Sequence, residues 1–391
     1  MISFIPYASF QFFTLIAFLL APIIILGLMG MRNTLYNDCV AILMTFLIFA
    51  AQPEQLISIL LFIIWQAVLI KGYLAIRTKN NNSACFYIAL VLAIIPLFLV
   101  KLSADVPALN FIGFLGISYV SFKSIQMIMD IRDGLLKEIP LIQYFRFIVF
   151  FPTISSGPID RYRRFREDTS KILTSVEYRT LLYQGLNKIF LGFLYKYIIG
   201  YLIHKYWMGS PMLLPDTLSS IWLYMYGYSM YLFFDFAGYS NFAIGVSYLM
   251  GVRTPENFNR PFISRNIKDF WNRWHMTLSF WFRDYIYMRF VYTAVKKKWL
   301  KNRYLISDIG LTLNFLVMGF WHGFMLQYII YGIYHATAFI LFDKFERFNK
   351  KHPFWPKDNK WMHALSVVIT FHVICFSFLI FSGRLDFLWQ R

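Results

Sequence analysis

Long apolar blocks alternate with short polar connections along the chain, and most blocks approach the roughly 20 residues that a helix needs to cross a bilayer. Candidate spans lie near 10–29, 38–52, 56–75, 85–101, 110–129, 143–155, 181–203, 217–250 and 362–382, and the stretch 305–342 is long enough for two. Apolar residues come in continuous runs, unlike the roughly ten-residue alternating strands of an outer-membrane barrel. The pattern predicts an all-α polytopic membrane protein with about ten to twelve transmembrane or re-entrant helices, some too short to cross fully. The first apolar run lacks a basic n-region and a small-residue cleavage pattern, so it reads as a transmembrane helix and not as a cleaved signal.

The polar connections differ in kind. Arg77 to Ser83 (RTKNNNS) is an ordinary solvated loop, whereas Pro158 to Lys171 and Gly251 to Arg303 carry much of the basic charge with Trp, Tyr and Phe embedded in it. Such aromatic, basic segments, above all Phe270 to Tyr287 (FWNRWHMTLSFWFRDYIY), predict interfacial or re-entrant helices whose Trp and Tyr anchor at headgroup depth. No repeat of fixed period and no low-complexity tract is visible, so one membrane domain over residues 1–391 is the simplest organisation.

Composition agrees and sharpens the picture. Of the 391 residues 58% are hydrophobic and 15% charged, too few charges for an ordinary soluble domain. The net charge of +18 sits in the loops between apolar blocks, which reads as positive-inside topology and not as a nucleic-acid footprint, and leaves a basic cytoplasmic face for an acidic partner. Cys39, Cys85 and Cys375 lie far apart without CxxC or a His/Cys cluster, so neither a disulfide framework nor a metal site is expected.

Chemistry is expected where ionisable groups enter apolar sequence. From Ile309 to Phe342 there are 34 residues without Asp, Glu, Lys or Arg, yet His322 and His335 lie among them. His322 is bracketed by Gly319 and Gly323, follows Trp321, and has Asn314 two turns upstream. A buried imidazole stays neutral and can take a proton from a hydroxyl. His275, in Trp274-His275-Met276-Thr277-Leu278-Ser279, is either a second reactive group or an interfacial residue bonded to a neighbour; for His335 packing is the expected role. Asp235 and Ser240, in Asp235-Phe236-Ala237-Gly238-Tyr239-Ser240-Asn241, either line a site or hydrogen-bond between helices. The motifs GxxxxGK[ST], HExxH, GxGxxG and GxSxG are absent, which removes support for ATP hydrolysis, zinc proteolysis and hydride transfer. Acyl transfer to a hydroxyl and proton-coupled transport both remain open.

The motifs taken together, Phe234-Asp235-Phe236-Ala237-Gly238-Tyr239-Ser240, then Trp274 to Ser279 with Arg283-Asp284-Tyr285-Ile286-Tyr287, then Gly319-Phe320-Trp321-His322-Gly323, resemble the membrane-bound O-acyltransferase (MBOAT) family. Within it, Phe151-Pro152-Thr153-Ile154-Ser155-Ser156-Gly157-Pro158-Ile159-Asp160-Arg161-Tyr162-Arg163-Arg164-Phe165 and the compact length resemble the branch that D-alanylates teichoic acid in Gram-positive bacteria. The resemblance implies an MBOAT-type funnel of helices with a central tunnel, in the plasma membrane. It implies His322 as catalytic histidine and His275 as its active-site companion, with Asp235, Ser240, Asn314 and Trp321 lining the tunnel. No cofactor is expected to be bound; phosphopantetheine arrives on a small acidic D-alanyl carrier protein at the cytoplasmic side. The stretch from Phe290 to Arg303 (FVYTAVKKKWLKNR) is the docking surface this suggests, joining Phe290, Val291 and Val295 to Lys296, Lys297 and Lys298. Teichoic acid, partner proteins on the outer side and membrane lipid complete the implied partners. An alginate-type O-acetyltransferase is the rival within the family.

Overall fold

The computed structural model describes residues 4–103, 112–356 and 359–388. Among them the chain is helical without a strand, and it forms two compact units, residues 1–193 with 238–255, and residues 194–237 with 256–391. Among the described residues, six helical segments are long and apolar enough to cross a membrane, one of them Ser175–Met208, a 34-residue segment. These residues therefore form a multi-pass membrane protein.

The first unit contains α1 (Phe10–Leu28), α2 (Thr34–Ala50), α3 (Pro53–Lys79), α4 (Ser83–Leu102), α5 (Ile117–Arg132), α6 (Leu141–Ile148), α7 (Tyr162–Ser170) and α8 (Ser175–Gly192). Helix starts follow the local chemistry. The Ser9 hydroxyl accepts from Phe12 N at 3.3 Å to open α1, and Thr174 with Glu177 forms a reciprocal capping box that opens α8. Of the expected span at 110–129, residues 110–111 lie outside the described residues and the helix found is α5, from Ile117; it differs from its neighbours, since every residue from Val120 to Ile131 is buried, polar ones included. Lys123 Nζ donates to Phe147 O and to Thr153 Oγ1, both at 3.2 Å, and Gln126 Nε2 donates to Asp160 O at 2.7 Å. A helix surrounded by protein can carry these groups because each finds a partner.

The expected span at 143–155 is only the short α6 followed by a 3₁₀ turn at Phe151–Thr153, because Pro152 ends regular helix there. Beyond α8 the apolar segment continues in π-helical geometry over Phe193–Gly200 and Ile203–Met208, and α9 (Leu218–Leu249) follows.

The second unit adds α10 (Ile267–Trp271), α11 (Met276–Phe282), α12 (Met288–Lys296), α13 (Arg303–His322), α14 (Leu326–Lys351) and α15 (Lys360–Phe381). The stretch 305–342 does hold two helices, α13 and most of α14. They cross closely because Gly332 presents no side chain: a Cβ there would stand 2.5 Å from Phe315 O. The segment 270–287 is broken into short pieces, as its mixed aromatic and basic character suggests. α10 ends at Trp271, and His275, at φ 40° and ψ 52°, adopts a left-handed conformation at the start of α11.

Candidate active site

His322 is the last helical residue of α13. Gly323 is extended, at φ 166° and ψ 176°, and the chain turns there into α14. The imidazole is half-buried and its walls are aromatic. The Phe381 ring meets it edge-on at 4.8 Å, Tyr331 edge-on at 6.1 Å, and Tyr328 and Trp321 lie at 5.8 and 4.4 Å. Such a box fixes the ring plane and keeps water away from part of it.

His275 is buried. Its Nδ1 lies 3.2 Å from Asn257 Oδ1, which also accepts from Thr277 Oγ1 at 2.6 Å, while Asn257 O accepts from Met276 N at 2.8 Å. An acceptor oxygen facing Nδ1 places the ring proton there and leaves Nε2 as the basic nitrogen. Burial pushes the His275 pKa down to about 3, so the ring is neutral at physiological pH. Phe236 meets His275 edge-on at 4.8 Å. The two histidine segments are linked through α11: His275 stands before its first residue, and Phe282, its last, lies 6.4 Å from Trp321, the neighbour of His322.

The remaining candidates separate. Asn314 is buried with Oδ1 lacking a hydrogen-bond partner among the described residues. Trp321 is half-buried beside His322. Asp235 forms an ion pair with Lys196. From its motif it is Phe236, about 100° further round the helix, that reaches His275. Ser240 is buried in the first unit, next to Tyr239, whose hydroxyl bonds Ser155 Oγ. In the docking candidate, Val291 is half-buried toward Gly310, Phe290 contacts Trp299 at 5.9 Å, Val295 is exposed, and Lys296, Lys297 and Lys298 project from the end of α12.

His335, expected to be a packing residue, is more specific than that. It is fully buried, accepts a hydrogen bond at Nδ1 from Trp271 Nε1 at 3.3 Å, and meets Tyr331, a wall of the His322 box, at 4.5 Å. Asn257, Trp271, Tyr331 and Lys196 were not legible as partners.

A model of the MBOAT, membrane-bound O-acyltransferase, family matches residues 117–383, which include all these segments. The chain belongs to the membrane-bound O-acyltransferase family. Individual proteins are similar to this chain as well, two of them over nearly its whole length. The teichoic acid D-alanyltransferase of Bacillus subtilis (strain 168) is 56% identical over 388 residues, covering 97% of this chain and 98% of that protein. That of Streptococcus thermophilus is 41% identical, covering 98% and 96%. A probable alginate O-acetylase of Pseudomonas fluorescens is 32% identical over 231 residues, which is 57% of this chain and 43% of that protein.

Proposed function

We propose that this acyltransferase D-alanylates teichoic acid, taking a D-alanyl thioester from the phosphopantetheine arm of a carrier protein and passing the acyl group to a hydroxyl. The observation that carries the reading is the aromatic box around His322 in a chain similar over 97% of its length to a teichoic acid D-alanyltransferase. The His322 imidazole accepts the proton of the acceptor hydroxyl as its oxygen attacks the thioester carbonyl. The C–S bond then breaks, the ester C–O bond remains, and the thiol leaves with a proton. His275, neutral and held through Asn257, orders the neighbouring wall and offers Nε2 to the acyl group or to a bound water. A thioester is activated enough to need no ATP at this step.

Carrier docking is assigned to the end of α12, where the exposed Val295 adjoins Lys296, Lys297 and Lys298. The cations steer an acidic partner and the apolar side chain holds it. The acetylase reading fits less well, because the alginate relatives resemble only 57% of this chain.

The test is transfer of labelled D-alanine from charged carrier to membranes by the purified protein. Covalent label in teichoic acid is expected. Label moved without a covalent product, or activity with an acetyl donor only, overturns the proposal.

A further inference from the structure

Away from the histidines, the second unit contains a cavity of about 760 Å³ between α14 and α15, closed on one side by Arg265, Asn266 and Ile267. Its size falls in the roughly 300–1,000 Å³ range of ligand sites. The walls are apolar, with Leu341, Phe345, Ile369 and Val373 among them. Two wall groups that could bind a polar ligand are already engaged: Trp355 Nε1 donates to Ser366 Oγ at 3.1 Å and Tyr334 OH to Val373 O at 2.9 Å. Leu341 and Ile369 are exposed, as an opening toward lipid requires.

The cavity follows α15 from Met362 to Val373, eleven residue steps that cover ~16 Å at ~1.5 Å each. That is about half the ~30 Å hydrocarbon thickness, the depth of one leaflet. The charges gather at the Met362 end. Lys268 pairs with both Asp343 and Glu346, leaving one acid in excess, whereas the exposed side chains of Arg265 and Lys350 have no acceptor among the described residues. His363 stands on the same rim. Lys344, Arg347 and Lys351 add basic charge at this end of α14, which places it on the cytoplasmic side.

We infer that the α14–α15 cavity binds an anionic phospholipid of the cytoplasmic leaflet, one acyl chain lying between the helices and the phosphate held by Arg265 and Lys350. An apolar slot one leaflet deep, with unpaired cations only at its mouth, complements such a lipid at both ends. A soluble anion would use the mouth and leave the slot empty.

The test uses the full-length protein in detergent with a phosphatidylglycerol probe carrying a photoreactive group on its acyl chain. Labelling is expected on α15 between residues 362 and 373 and on the facing part of α14. The double variant Arg265→Gln/Lys350→Gln should bind phosphatidylglycerol about thirtyfold more weakly. Ile369→Trp should block the slot while the melting temperature without lipid stays unchanged. Labelling mainly elsewhere, equal binding of phosphatidylcholine, or equal stabilisation by inorganic phosphate alone would each overturn the assignment.

Discussion

Trp271 Nε1 donates to Nδ1 of His335 at 3.3 Å, and this one bond decides which nitrogen of the buried imidazole carries its proton. An indole N–H can only donate, so Nδ1 must accept and Nε2 must be protonated in the neutral ring. That Nε2–H is buried and meets no acceptor among the described residues. His275 has the opposite arrangement, with Asn257 Oδ1 facing Nδ1 and Nε2 left basic. The unit thus holds two buried imidazoles with complementary tautomers.

His335→Leu should lower the detergent melting temperature, because it strands the Trp271 N–H at a cost of about 1–3 kcal/mol. His335→Gln keeps a side-chain acceptor and should melt close to wild type. Equal melting of the two variants would show that the Trp271 bond carries no weight.

Loss of His322 should abolish chemistry without unfolding the protein. His322→Ala places no charge in lipid and removes the proposed base, which typically costs about 100- to 10,000-fold in rate. D-alanine transfer above about a tenth of wild type, at unchanged melting, would rule it out as the base. His352→Ala, at the exposed end of α14, is the control and should transfer normally.

The depressed pKa of His275 has a pH signature. The unfolded ring protonates near pH 6.5 and the folded one only near 3, so below 6.5 the unfolded chain binds more protons and stability is lost as the pH is lowered. The His275 contribution approaches 1.36 kcal/mol per pH unit within that window. His275→Gln should melt with a flatter pH dependence between about pH 6.5 and 4 than wild type. An unchanged slope would place the acid sensitivity on other groups.

The crossing of α13 and α14 gives a packing prediction with an internal control. Gly332→Ala puts a methyl against Phe315 O and should destabilise the hairpin that presents His322. Gly72→Ala, in α3, meets nothing within 4 Å and should be neutral or stabilising by up to about 1 kcal/mol. Thermal melting of the pair decides it.

At the end of α12 the proposed docking surface separates charge from contact. Val295→Asp should weaken carrier binding at little cost in melting temperature, because Val295 is an exposed apolar side chain beside the lysines. Val291 is a poorer probe, since its half-buried side chain lies toward Gly310. Neutralising Lys296, Lys297 and Lys298 should slow association and flatten its salt dependence. Surface-bound carrier titrated against each variant measures both effects, and an unaltered response to Val295→Asp would move the dock elsewhere.

The spans and the family motifs were legible because apolar length and ordered short motifs are written in the chain itself. The helix break at residue 275 showed only as a mixture of aromatic and basic residues, since no glycine or proline marks His275 as left-handed. The partners of the histidines were hidden for a different reason. Asn257 and Trp271 lie 18 and 64 residues from the imidazoles they bond, and no periodicity connects positions so far apart. Asp235 was singled out for its charge, yet the residue of its motif that touches His275 is Phe236, and the choice depends on helix rotation that a charge count does not register.

The burial of α5 bears on how the protein is made. A helix carrying Lys123, Gln126 and Asp130 is too polar to partition from the translocon by itself, each central lysine alone costing about 2.5–3.5 kcal/mol on insertion scales. The hydrogen-bond acceptors of Lys123 and Gln126, on Phe147, Thr153 and Asp160, are all synthesised after it. During translation α5 must therefore wait, sheltered beside α3 and α4, until the chain as far as Asp160 has emerged and folded back over it.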